Sequence, residues 1–133
     1  MSDNSYRMTF PLYASTALLA ANVTETWDQV VSLPNGDDAV LATARFMPAT
    51  SVTANDTSYV DLSIEINTTE VASEQTTTGD TGSLTAGTEL SLSLSGNLEV
   101  SDGDRITVKK THASSGVILD GTLTLDFTRF RAA

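Results

Sequence analysis

The residues able to do chemistry are few, and their spacing limits what they can be. His112 is the only histidine, and Ser114 and Ser115 follow it closely. A Ser-His-Asp site needs an imidazole between a hydroxyl and an acid. No Gly-x-Ser-x-Gly elbow presents such a serine, so His112 reads as an exposed residue near a hairpin tip. One histidine and no cysteine offer no ligand set for structural zinc. The acidic turns are better placed to meet a cation. Asp102 and Asp104, then Asp120, or Asp37 with Asp38, carry the hard oxygen donors that calcium prefers. No twelve-residue EF-hand loop frames them, and aspartate is in any case a good turn residue. Trp27, Tyr13 and Tyr59 could form a platform for sugar rings, but with 6% aromatic residues they are expected in the core or at a subunit contact. No catalytic pair stands at a recognisable spacing, so neither an enzyme nor a bound cofactor or metal is expected.

The cations are scarce as well. Arg7, Arg129 and Arg131 make three of only seven, and all three lie near the chain ends. If the ends emerge together, that end is less acidic than the body and can pair with an acidic partner. Lys109 and Lys110 adjoin, so on a strand one of them must face outward.

The elements that must position these residues are strands. Val60, Leu62, Ile64 and Ile66 alternate with Asp61, Ser63 and Glu65. Leu90, Leu92 and Leu94 alternate with serines, and Leu123, Leu125 and Phe127 with Thr124 and Asp126. A repeat of two puts each apolar set on one face of a pleated strand and leaves the other face to water. Turn residues separate the runs: Pro34-Asn35-Gly36, Ser95-Gly96-Asn97, Asp102-Gly103-Asp104, Ser114-Ser115-Gly116 and Asp120-Gly121. Short strands so punctuated predict an all-β fold, an antiparallel β-sandwich or jelly roll.

The first half is less regular. Residues 24–33 carry Val, Thr and Trp and read as strand, although Val23, Trp27, Val30 and Val31 also fit a helical stripe. Residues 14–21 fit either a helical turn or an extended segment. Residues 1–12 read as an extended N-terminal arm, and residues 13–133 as one sandwich domain. Residues 76–87, rich in Thr and Gly, read as a long loop open to partners.

Composition bounds the partners. The chain has 133 residues, 17 acidic and 7 basic, and a net charge of −10. That excess disfavours nucleic acid and anionic membrane surfaces, both of which attract positive proteins. The longest apolar run, residues 17–21, is far short of the ~20 residues that cross a bilayer. The 21 threonines and 15 serines sit inside the alternating pattern instead of forming separate polar tracts, which argues for a folded chain.

Two segments carry a resemblance. One runs Phe46-Met47-Pro48-Ala49, then Asn55-Asp56-Thr57-Ser58-Tyr59 and the strand of residues 60–66. The other runs Leu98-Glu99-Val100-Ser101-Asp102-Gly103-Asp104-Arg105-Ile106, then Ser115-Gly116-Val117-Ile118-Leu119-Asp120-Gly121 and a final alternating strand. Over residues 39–128 this order resembles the small all-β capsid decoration, or cement, proteins of tailed bacteriophages. The resemblance implies a jelly-roll-like subunit, trimeric at threefold positions on the outer surface of a virion, bridging neighbouring major capsid subunits. A carbohydrate-binding or tail- or fibre-associated sandwich module is the alternative. Under the first reading the arm adds as a strand to a neighbour. Tyr6, Arg7, Met8 and Phe10, with Arg129 and Arg131, are then the expected capsid contacts, and Tyr6, Met8, Phe10 and Leu12 share one face.

Overall fold

The computed structural model describes residues 4–13, 23–34, 36–113 and 117–131. The expectations for residues 14–21 and for the turn at 114–116 fall outside these. Wherever the sequence alternates, the backbone is extended. β4 (Val60–Ile66), β8 (Arg105–His112) and β9 (Gly121–Arg131) bury their alternate apolar residues. β1 (Ser5–Pro11), β2 (Thr24–Val30), β3 (Asp37–Pro48), β5 (Thr69–Gln75), β6 (Leu90–Ser91) and β7 (Glu99–Ser101) complete the set. Residues 24–30 are strand, as their β-branched and aromatic content predicts.

Two antiparallel sheets face each other. One has the order β1-β9-β3-β6, with β7 also paired to β3, and the other has β2-β8-β4-β5. The pairing is nested: first strand with last, second with second-last, third with β6 and β7, and β4 with β5. This is a long hairpin folded over on itself, the jelly-roll arrangement. Its core holds Phe10, Leu12, Phe46, Leu41, Ile64, Ile106, Leu123, Leu125 and Phe127, all essentially sealed from water.

Two bulges explain where simple alternation breaks. In β3 the register against β9 slips between Leu41 and Thr43, so Ala42 is unpaired. The buried set changes from Ala39 and Leu41 to Ala44 and Phe46. In β5 the register slips opposite Ile64 and Glu65, which leaves Val71 extra and buries Val71 and Ala72 side by side. An added residue reverses the inward phase of everything beyond it.

Two expectations are corrected. Residues 5–11 are not a free arm, because β1 pairs with β9 along its whole length and Met8, Phe10 and Leu12 are core. The alternating leucines from Leu90 onward give only a two-residue strand. There the chain crosses between the sheets: the Leu92 amide donates to Ala44 O, and the Ser95 amide donates to Val71 O. The loop of residues 76–87 is anchored along its length. The Val60 amide donates to Thr76 Oγ1 at 3.0 Å, Thr78 donates to Asp56, and Leu84 bridges to Val52.

Candidate interaction surface

Alternation sorts the residues named from the sequence. On β1, Tyr6, Met8 and Phe10 point inward with Leu12, so the shared face is real but belongs to the core. Tyr6 is half-buried, with its ring tilted against Phe127 at 5.6 Å and its hydroxyl accepting from the Ser32 amide at 3.1 Å. Met8 and Phe10 therefore offer a partner no side chain, which corrects their assignment as contacts. Arg7 lies on the opposite, outer face.

That outer face belongs to the five-stranded sheet. Register places Arg7 beside Asp126, and Arg45 beside Thr124. Arg7 Nε donates to Asp126 Oδ1 at 2.7 Å, and Arg45 Nη2 to Asp126 Oδ2 at 2.6 Å. Arg45 also reaches Glu89 at 3.5 Å. The Arg7 hydrogen bond, followed by that of Arg45, holds the Asp126 carboxyl below the usual carboxylate range, against a partial burial that works the other way. Around this clasp stand Thr9, Thr43, Thr122, Thr124 and Thr128, with the exposed Met47 and Phe130 towards its two ends.

At the Phe130 end, Asn4, Asp37, Arg129, Phe130 and Arg131 line a depression of about 300 Å³. Arg131 pairs loosely with Asp37 at 3.5 Å, and the Arg129 amide donates to Asn4 O at 2.6 Å. Arg129 and Arg131 follow Asp126 by three and five residues on β9, in the phase of Leu125 and Phe127, so alternation sets them apart from the outward Arg7. A second cleft of about 360 Å³, between residues 50–58 and Val117–Ile118, mixes hydroxyls and the Asn55 amide with the aliphatic Val52, Val117 and Ile118.

Asp102 and Asp104 occupy the turn between β7 and β8, where Gly103 has φ +91°. Asp102 Oδ1 accepts from the Leu33 amide at 2.9 Å, and Asp104 Oδ2 from the Ser101 amide at 2.8 Å. Asp104 thus closes the turn itself, while Asp102 ties the turn to the segment after β2. Among the described residues no group of three or more His, Asp or Glu side chains is placed to hold a metal ion. Tyr13 is exposed, whereas Trp27 and Tyr59 are only partly so. Trp27 packs on the core with the Lys110 ammonium 5.5 Å from its ring.

Sequence reasoning missed the polar cluster around Lys110. Ile106, Val108, Lys110 and His112 share the inward phase of β8, and the last two are buried, not exposed. Lys110 Nζ donates to Leu119 O at 2.6 Å and meets Glu25 at 3.2 Å and Asp120 at 3.9 Å. His112 Nε2 lies 3.4 Å from the same Glu25 oxygen. Lys109 turns outward to Glu65 at 3.0 Å. The signal was present in the alternation: counting by twos from Ile106 lands on Lys110 and His112.

The fold is therefore a jelly-roll sandwich, an architecture shared by viral capsid and lectin domains. The sequence matches no known protein family and no curated protein. Among solved structures the chain is similar to one described as the structure of infectious bursal disease virus, Gx strain, at 15% identity and TM-score 0.45. That match covers 99% of this chain and 38% of the other. The Gt strain gives 14% identity and TM-score 0.37, covering 98% and 36%. This chain spans less than two-fifths of the length of those virus chains. The jelly-roll assignment rests on the strand order, not on these likenesses.

Proposed function

We propose that this chain is a structural virion protein, a decoration subunit that binds the outer surface of a phage capsid and bridges neighbouring major capsid subunits as a homotrimer. The observation that carries the reading is a nested two-sheet block with a broad, threonine-rich outer face. Arg7, Arg45 and Asp126 clasp together on that face, and Arg129 and Arg131 stand at its end. Such a block transmits load through paired backbone. Its polar face suits a wet contact, made additive by the many equivalent sites of a shell. The sequence resemblance to decoration proteins supports the same reading. Tyr6 contributes by positioning β1, while Arg7, Arg129 and Arg131 make the contact.

Purified protein added to undecorated capsids tests this directly. Saturable binding at a fixed copy number, with a trimer by light scattering, is the expected result. A monomer that binds sugars and ignores capsids would move the assignment to a glycan-binding or fibre-associated module.

A further inference from the structure

We propose that Lys110 and Asp120 are the two ends of an internal isopeptide cross-link, formed with Glu25 as proton carrier. Lys110 is completely enclosed between the sheets, while its neighbours Glu25 and Asp120 are mostly buried. Asp120 Oδ1 is sealed from solvent yet makes no hydrogen bond, and the group facing it is the Lys110 amine at 3.9 Å. A buried carboxylate oxygen without a hydrogen bond is unusual enough to need a reason.

Both partners are held by backbone. Lys110 sits in the ladder between β2 and β4, and its Nζ is anchored on Leu119 O, one residue before Asp120. The Asp120 carbonyl accepts from the Ala49 amide at 2.8 Å. Closing the 3.9 Å between Nζ and Oδ1 brings amine and carboxyl to reacting distance, and so fixed a pair needs no encounter step.

The chemistry balances without an added reagent. The Lys110 ammonium passes one proton to the Asp120 carboxylate, giving an amine and a carboxylic acid. Nζ attacks Cγ, and Glu25 takes a second proton from nitrogen. Glu25 then returns it to the departing hydroxyl, which leaves as water. An N–C bond forms, a C–O bond breaks, and nothing is oxidised. Enclosure of Lys110 protects the amide from the reverse reaction.

The intact mass of the folded full chain reads the outcome. The expected value is lower than the sequence mass by one water. Trypsin should then fail to cut at Lys110, and residues 110–129 should be recovered as one peptide. Fragmentation of that peptide should give no backbone break separating Lys110 from Asp120. Lys110→Arg and Glu25→Gln should both restore the full sequence mass. Asp120→Asn should close the same bond with loss of ammonia and arrive at the wild-type mass. A wild-type chain at full mass, with Lys110 cleaved normally, overturns the proposal. So does a water deficit that survives Lys110→Arg, because the Asp120-Gly121 step can lose water by cyclising on its own backbone.

Discussion

Asp126 shows how little a single charge tells until its neighbours are known. It reads as an ordinary outward residue of an alternating strand, yet it accepts from two arginines on two different strands. Its carboxyl titrates lower in the folded chain than in the unfolded one. The stability it contributes is therefore fully present above about pH 4 and is lost as pH falls through the lowered folded value. Asp56, lowered first by the Thr78 backbone amide and then by its hydroxyl, acts in the same window and with the same sign. Asp126→Asn should flatten the acid limb of a stability-against-pH curve followed by circular dichroism. An unchanged acid limb would show that the clasp is not thermodynamically coupled to folding. Gly121 is a second case. A Cβ there would run into the Met47 carbonyl and lie 2.8 Å from the Phe46 ring. Gly121→Ala should destabilise by about 2–4 kcal/mol in denaturant titration, since the obstacle is backbone and a buried ring.

At the scale of elements, β1 is the main revision. Its alternating Tyr6, Met8, Phe10 and Leu12 were legible, but whether that face meets a neighbour or its own core is decided by β9, which lies more than a hundred residues away. Phe10→Ala should cost about 3–5 kcal/mol, as for other fully buried aromatic rings. Removing residues 1–10 should unfold the sandwich, not merely release it from a particle; a cooperative thermal transition in that truncation would restore the free-arm reading. The β4–β5 hairpin carries its own strain. Asn67 and Thr68 both have positive φ, 49° and 78°. Asn tolerates this conformation, whereas a β-branched threonine does not. Thr68→Gly should raise stability by about 0.5–1 kcal/mol in the same titration. Neither this hairpin nor β5 was visible in the sequence, because the bulge at Val71 erases the alternation.

For the whole molecule, the net charge of −10 makes each outward cation conspicuous. If Arg7 and Arg131 contact the shell, reversing both to glutamate should weaken capsid binding roughly tenfold or more, with a normal circular dichroism spectrum. Added salt should weaken wild-type binding in the same direction. Binding that ignores both changes would shift the contact to the threonine face or to the second cleft. The jelly-roll order also means that strands distant in sequence share every ladder except β4–β5, so folding is expected to be slow for a chain of this length.

Local chemistry alone determined that the chain is all-β, where the turns at Gly36, Gly96 and Gly103 lie, and which side of each regular strand is apolar. Those properties follow from side-chain alternation and from the backbone preferences of Gly, Asn and Asp, which act over a few residues. Tertiary structure alone decided the nested pairing, the two phase reversals, the incorporation of β1 and the burial of Lys110 beside Glu25 and Asp120. Each of these depends on contacts between distant segments, and a periodicity of two is blind to which partner a face will meet.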